Sequence, residues 1–190
     1  MQILDTAIAE VKIVVPQVFG DARGYFFESW NSVRYAEAGI DCRWMQDNES
    51  KSRYGVLRGL HYQAAPYTQA KLVRVIEGAV LDVAVDIRKN SPTFGKHVAV
   101  ELTAENKYQL FVPRGFAHGF AVLSESAVFA YKCDNTYMPS HERGIAFDDP
   151  ALGIDWKINV KEALLSAKDS KNPCLADAEV FDFNNKEYLQ

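Results

Sequence analysis

Apolar and polar residues alternate with a period of two through the centre of this chain. Between residues 79 and 87, four apolar residues share one face: Leu81, Val83, Val85 and Ile87. The opposite face carries Asp82 and Asp86, and the stretch 97–102 repeats the same alternation. Successive side chains of a β-strand point to opposite faces of a sheet, so this pattern predicts strands at both places.

Further strand candidates follow at short intervals and are separated by turn-forming residues such as Pro16, Gly78 and Pro113. The candidates span residues 11–15, 25–30, 56–63, 71–75, 79–87, 97–102, 108–112, 116–123 and 127–132. The stretch 44–50 is polar, and we assign it to no strand. Short strands about ten residues apart, with turn residues between them, predict an all-β sandwich or barrel.

Two segments favour short helices at the periphery of this all-β fold. Asn31 is a good helix N-cap and Gly39 a good terminator, so we predict a helix over residues 32–38. Residues 160–168 place apolar side chains near helical spacing and predict a second short helix. Since no repeat, linker or low-complexity block interrupts the chain, we expect one domain spanning residues 1–190.

Composition limits the classes of function. Hydrophobic residues make up 48% and charged residues 24%, as in a globular protein with a full core. The net charge of −4 argues against nucleic-acid binding, and no apolar run approaches the ~18 residues of a membrane span. The first five residues lack the basic and apolar regions of a signal peptide. Three widely spaced cysteines, Cys42, Cys133 and Cys174, favour a reducing compartment, so we expect a cytoplasmic protein.

The stretch 55–75 brings three basic residues together in an otherwise apolar or small setting. In an extended strand, His61 lies on the face opposite to Arg58, unless a bulge or twist turns Arg58 inward. Lys71 shares a face with Val73 and Val75, which predicts that it points into the interior. A buried basic side chain is costly without partners or a function. The alternatives are a structural histidine in the core and a lysine that protects a sheet edge.

Polar residues also recur elsewhere within the apolar pattern. They are Arg23, Glu28, Gln46, Asn48, His118 and Tyr131. Inward residues of a small barrel or jelly roll converge on one cavity, and this set suits an anionic, oxygen-rich ligand. Each residue also has a structural interpretation: His118 as a histidine bonded to a turn carbonyl, and Tyr131 as a core tyrosine. Asp169 and the arginines resemble ordinary surface charges.

We predict no metal site. Many small β-barrel enzymes hold a metal through a His-x-His pair, an acid and a later histidine. The corresponding triplet here, His61-Tyr62-Gln63, lacks the second histidine, and no pair of cysteines replaces it. The sequence also lacks a glycine-rich dinucleotide fingerprint, which fits a reaction without a redox step, and we expect no cofactor.

Several long motifs together resemble the dTDP-4-dehydrorhamnose 3,5-epimerase family, a branch of the cupin superfamily. The most characteristic are Gly55-Val-Leu-Arg-Gly-Leu-His-Tyr-Gln63 and Pro113-Arg-Gly-Phe-Ala-His-Gly-Phe120. Further matching segments are 19–28, 46–52, 69–73, 82–95, 131–133 and 148–156. They occur in order over roughly residues 10–170, whereas Asp134-Asn-Thr136 departs from the usual pattern. The resemblance implies a cupin-type jelly roll.

The resemblance also implies roles for individual residues. His61 resembles the general base paired with Asp169, Tyr131 the general acid, and Lys71 the lysine near the substrate carbonyl. Tyr137 resembles the residue that stacks on thymine. The remaining positions similar to those that bind the nucleotide sugar are Arg23, Glu28, Gln46, Asn48, Arg58, His118, Glu142 and Lys168. Family members are generally homodimers that act on a dTDP-sugar, and we expect the same here.

Two other functions remain open from the sequence alone. The same base could serve an epimerase that inverts one carbon only, or a ketoisomerase acting on a related nucleotide sugar. A binding module without catalysis is the third possibility, although it would not need His61, Tyr131 and Asp169 together.

Overall fold

Fifteen β-strands and one α-helix form within residues 1–189, which the computed structural model describes. In chain order the strands are β1 Gln2–Asp5, β2 Lys12–Val15, β3 Val18–Asp21, β4 Gly24–Phe27, β5 Gln46–Arg53, β6 Leu57–Gln63, β7 Lys71–Glu77, β8 Ala79–Asp86, β9 Arg88–Lys89, β10 His97–Thr103, β11 Gln109–Val112, β12 Phe116–Val122, β13 Ser126–Cys133, β14 Glu142–Gly144 and β15 Phe181–Asp182. The helix α1 spans Ser32–Glu37, and 3₁₀ turns span Pro139–His141, Val160–Glu162, Asp169–Lys171, Leu175–Asp177 and Glu187–Leu189. No helix among these residues is long and apolar enough to cross a membrane.

Two antiparallel sheets dominate the molecule. One has six strands in the order β1-β2-β11-β7-β13-β5, and the other has five in the order β10-β8-β12-β6-β14. The strands β3 and β4 form a separate antiparallel hairpin, and β15 pairs with β9 in parallel. The sequence prediction of an all-β, jelly-roll sandwich with a few short helices is confirmed.

The main core lies between the two sheets. Val73 and Val75 of β7 and Phe129 of β13 pack from one sheet against Ala84 of β8 and Phe120 of β12 from the other. The rings of Phe120 and Phe129 stack with their centroids 4.2 Å apart, which ties the two sheets together.

A second core covers the outer face of the five-stranded sheet. There Leu81 and Val85 of β8 pack against Trp156 and Phe181 from the C-terminal third of the chain. The strand β8 is therefore buried on both faces, which encloses Asp82 as well. A buried carboxylate needs hydrogen-bond partners, and Asp82 finds one in His118. Asp86, equally enclosed, is bonded by Arg88, Ser91 and Thr93.

The predicted helices had different outcomes. Asn31 caps α1 by accepting hydrogen bonds from the backbone N–H groups of Val33 and Arg34, as its sequence position suggested. The predicted helix over 160–168 is wrong, since only Val160–Glu162 form a 3₁₀ turn. Beyond it, Leu164 exchanges backbone hydrogen bonds with Gly55 and Leu57, which extends the chain like a strand.

The strand β5 was missed because its residues are polar throughout. It pairs with β13 along its whole length and forms one edge of the six-stranded sheet. Polar and charged side chains on an edge strand discourage pairing with other chains, so the hydrophobic pattern gives no signal there.

Candidate active site

A β-bulge places Arg58 and His61 on the same side of the five-stranded sheet. His118 of β12 pairs with His61, whereas Phe120, two residues later, pairs with Arg58, three residues earlier. The extra residue reverses the alternation of side chains, which is the exception that the sequence left open. The bulge requires a glycine: a Cβ on Gly59 would lie 2.6 Å from the Cα of Gly119, and its φ is +130°.

Lys71 and Tyr131 approach from the opposite sheet. They lie on the neighbouring strands β7 and β13, where Cys133 pairs with Lys71 and Tyr131 pairs with Val73. The Lys71 ammonium lies 5.9 Å from the centroid of the Tyr131 ring. Lys71 follows the inward alternation of Val73 and Val75, as the pattern predicted. One sheet thus presents the histidine, and the sheet facing it presents the tyrosine and the lysine.

These side chains line an open cavity of about 260 Å³ at one end of the sandwich. Its lining residues are Gln46, Asn48, His61, Tyr62, Gln63, Gln69, Lys71, Tyr131, Cys133, Tyr137 and Glu142. His61 also borders an adjacent groove together with Arg58 and Asp169. The structure therefore gathers most of the predicted site residues around His61.

His61 is held by a carboxylate from a distant part of the chain. Its Nε2 lies 2.5 Å from Oδ1 of Asp169, which is only 3% exposed. Burial alone would raise the pKa of Asp169, but hydrogen bonds from His61, Ser166 and the Gly59 backbone outweigh it and lower this pKa. An ionised carboxylate can only accept, so Nε2–H donates and Nδ1 keeps a free lone pair.

The opposite wall of the cavity carries a proton donor and a cation. Burial raises the pKa of Tyr131, so its hydroxyl stays protonated at neutral pH. Burial lowers the pKa of Lys71, and among the described residues no carboxylate forms an ion pair with its ammonium group. A partly buried cation without an ionic partner is suited to binding an anion or a developing oxyanion.

The rim of the cavity carries a chain of polar contacts. The Tyr137 hydroxyl donates to Oε2 of Glu142 at 2.9 Å, and Nζ of Lys168 donates to the same oxygen at 2.5 Å. The Tyr137 side chain is largely accessible, with 46% of the residue exposed. Below it, Gln46 donates to Oδ1 of Asn48 at 2.8 Å. An exposed aromatic ring beside a mouth of polar groups can accept a flat base.

His118 lies deeper than the other predicted site residues. It is 6% exposed, and its Nε2 lies 2.9 Å from Oδ1 of Asp82. It therefore bonds a buried carboxylate and not the turn carbonyl that the structural interpretation anticipated. Burial lowers the pKa of His118 despite the opposing effect of Asp82. In the sheet, His118 pairs directly with His61.

Arg23 and Glu28 do not line this cavity. Arg23 is in the turn of the β3–β4 hairpin, where it forms an ion pair with Asp21 and its side chain is 90% exposed. Glu28 follows the hairpin, and its carboxylate lies 3.5 Å from the guanidinium of Arg34. The two residues thus stand apart from the rest of the predicted set.

Sequence reasoning missed several residues that line the cavity: Tyr62, Gln63, Gln69 and Cys133. Gln63 carried a usable signal, because an extended strand places it on the same face as His61. Nothing in the local pattern distinguished the other three. Within residues 1–189, no group of three or more histidine, cysteine, aspartate or glutamate residues is arranged to hold a metal ion.

Comparison with known proteins decides the family. The family model described as dTDP-4-dehydrorhamnose 3,5-epimerase matches residues 5–177. The chain belongs to the dTDP-4-dehydrorhamnose 3,5-epimerase family. A member of this family from Shigella flexneri is 54% identical over 182 residues, which are 95% of this chain and 99% of that protein.

Solved structures agree with this assignment. The dTDP-6-deoxy-D-glucose-3,5-epimerase of Legionella pneumophila, solved with dTDP-4-keto-L-rhamnose, is 49% identical with a TM-score of 0.92, covering 96% of this chain and 98% of that one. A 3'-monoepimerase of Streptomyces bikiniensis, solved with dTDP-quinovose, is 32% identical with a TM-score of 0.89, covering 98% and 99%. The shared fold therefore carries both kinds of epimerase.

Proposed function

We propose that this chain is a cofactor-independent isomerase that converts dTDP-4-dehydro-6-deoxy-D-glucose into dTDP-4-dehydro-L-rhamnose. The observation that carries the proposal is the opposition of His61 and Tyr131, which reach the same cavity from facing sheets. Inverting a carbon centre requires a base on one face and an acid on the other.

The chemistry follows from the ketone at C4 of the substrate. It acidifies the hydrogens on C3 and C5, and removal of either one gives an enolate. His61 takes the proton through Nδ1, while Asp169 stabilises the imidazolium that results. Tyr131 then returns a proton from the opposite face, which inverts the centre.

Lys71 supplies the positive charge that the enolate requires. It faces the cavity without an ionic partner among the described residues, so a bound ketone oxygen can be its acceptor. Such a preorganised charge stabilises the enolate more than it stabilises the ketone, and this difference accelerates proton removal.

The nucleotide extends beyond the cavity. About 260 Å³ lies below the ~300 Å³ lower end of typical ligand sites, so the cavity suits the sugar and not the whole dTDP-sugar. We infer that the ring of Tyr137, exposed at the rim, stacks on thymine. Arg58 in the adjacent groove, and Lys168 at the rim, supply charge for the diphosphate.

A homodimer explains why Arg23 and Glu28 lie apart. Their hairpin exposes four large apolar residues, Val18, Phe19, Tyr25 and Phe26, at 42%, 56%, 61% and 69%. An exposed apolar hairpin of this kind marks a contact with another chain. We infer that a second copy covers it and that each hairpin brings Arg23 and Glu28 to the cavity of the other copy.

The three cysteines of the chain are free, and one of them, Cys133, is buried in the cavity wall. Free thiols persist in a reducing compartment, which supports the cytoplasm as the site of action.

Inversion of one centre only is the second candidate, because the Streptomyces bikiniensis relative is a 3'-monoepimerase of the same fold. The higher identity of 54% to the Shigella flexneri 3,5-epimerase favours inversion of both. Deuterium wash-in, followed at C3 and C5 by NMR, separates these possibilities. The proposal predicts exchange at both carbons, one carbon would indicate a monoepimerase or a ketoisomerase, and no exchange would indicate a binding module.

A further inference from the structure

Gln63 ends the strand that carries His61, and its side chain is fully occupied. It is 4% exposed, although glutamine side chains are mostly exposed in proteins. Its Nε2 donates to the carbonyl of Tyr67 at 2.6 Å and to that of Thr136 at 3.1 Å, and its Oε1 accepts from the N–H of Met138 at 2.6 Å. Buried polar groups are costly to leave unpaired, so these hydrogen bonds hold the 136–138 loop in place.

Two of these bonds bracket Tyr137. Gln63 binds the residue before it through the carbonyl and the residue after it through the N–H. The N–H of Tyr137 itself donates to Oε1 of Gln46 at 2.9 Å. Two glutamine side chains therefore hold three backbone groups around Tyr137, which fixes the point from which its ring extends.

The backbone of Gln63 belongs to the same strand as His61, the proposed base. His61 and Gln63 are two residues apart on β6, so they share a face, and both line the cavity. The backbone of Gln63 also pairs with that of Glu142 on the neighbouring strand β14. The carboxylate of Glu142 accepts a hydrogen bond from the hydroxyl of Tyr137. Gln63 thus connects the strand β6 with the 136–138 loop at the rim of the cavity.

We propose that Gln63 is a positioning residue that sets Tyr137 relative to His61, so that docking of the nucleotide base places the sugar over the general base. This inference rests on the proposed function, since it takes Tyr137 as the nucleotide contact. In this proposal Gln63 does not contact the reacting atoms. Its effect is on substrate binding, through the geometry of the 136–138 loop.

The test variant is Gln63→Met, which keeps the length of the side chain and removes its three hydrogen bonds. We expect the dissociation constant of dTDP and the KM of the dTDP-sugar to rise about tenfold, the equivalent of ~1.4 kcal/mol, with a smaller change in kcat. Should this variant not fold, Gln63→Asn takes its place, because it keeps a neutral amide but shortens the side chain by one methylene, and the same rise in the dissociation constant is expected.

The matched control is Asn106→Leu. The side-chain amide of Asn106 also makes three hydrogen bonds to the backbone, at Glu101, Thr103 and Tyr108, but outside the cavity. It should lower thermal stability and leave dTDP affinity unchanged. A similar rise in the dissociation constant for both variants would reduce Gln63 to a general stabiliser and overturn the inference.

A double-mutant cycle with Tyr137→Ala identifies what Gln63 acts through. In the Tyr137→Ala background, removing the Gln63 amide should add little further loss of dTDP affinity. Fully additive losses would contradict the inference. If Tyr137→Ala alone leaves dTDP binding intact, the proposed nucleotide site itself is wrong; if it weakens binding and Gln63→Met does not, only the positioning role is wrong.

Discussion

Asp169 accepts a hydrogen bond from His61 at 2.5 Å, across 108 residues of chain. The contact fixes the histidine tautomer, because the ionised carboxylate can only accept the proton on Nε2. It also holds the segment after Leu164 against the strand β6, and within that segment the backbone N–H of Asp169 donates to the side-chain oxygen of Ser166. The last part of the chain thus completes a site whose other members lie on the two sheets.

The first prediction concerns the base. In the proposed mechanism His61 removes the substrate proton, so His61→Ala should lower kcat at least about a hundredfold, within the range of general acid–base catalysis. The dissociation constant of dTDP, measured by calorimetry, should stay close to that of the wild type. A variant with near-wild-type turnover would disprove the role of His61.

The second prediction concerns the cost of burying Lys71. Its lowered pKa means that the folded protein binds fewer protons than the unfolded chain between the folded pKa and ~10.4, so stability rises with pH in that window. Lys71→Met removes the charge, and its free energy of unfolding should exceed that of the wild type at neutral pH.

The advantage of Lys71→Met should be constant at pH values below the folded pKa and should shrink as pH rises toward ~10. Urea denaturation at several pH values measures it, and the same variant should lose most of its turnover. A variant that is less stable than the wild type at neutral pH would show that the ammonium stabilises the fold.

The third prediction is that turnover needs no metal ion. The triplet His61-Tyr62-Gln63 lacks the second histidine of a metal-binding pair, and in the proposed mechanism Lys71 supplies the polarising charge. Dialysis against a strong chelator should leave kcat and KM unchanged. Loss of activity that one particular ion restores would refute this.

The fourth prediction tests the partner's hairpin. Phe26→Asp places a charge on the most exposed of its four apolar residues, and it should give monomers in analytical ultracentrifugation. Val33→Asp is the control, because Val33 is 64% exposed on α1, outside the hairpin, and the dimer should persist.

Subunit mixing then tests which residues are shared. Arg23→Ala and His61→Ala should each be poorly active alone, whereas an exchanged mixture should regain activity. In the heterodimer, the intact His61 of one copy meets the intact Arg23 of the other. A mixture that is no more active than its parents would contradict an exchanged hairpin.

The sequence predicted those parts of the fold whose side chains repeat with a simple period. Lys71 points into the sandwich because it follows the alternation of Val73 and Val75. The polar edge strand β5 and the segment after Val160 could not be predicted in this way. Their structure depends on backbone pairing with β13 and with Gly55, which leaves no hydrophobic period.

The sequence predicted which residues form the site better than it predicted how they are arranged. The inward turn of Arg58 depends on a bulge whose backbones approach closely at Gly59 and Gly119, a contact between distant strands. Gln63 was passed over because its partners are backbone groups of another loop. Resemblance to the family suggested Asp169, which the local pattern could not distinguish from a surface acid.

The measurement that tests the central claim most directly is the ratio of proton exchange to inversion in Tyr131→Phe. The change removes one hydroxyl and keeps the ring that packs beside Phe129, so the variant should fold and bind. His61 should still remove and return protons on its own face. In deuterated solvent, the account predicts that substrate hydrogen exchanges faster than configuration inverts. If exchange and inversion fall together and equally, Tyr131 is required for deprotonation itself, and the two-face mechanism is contradicted.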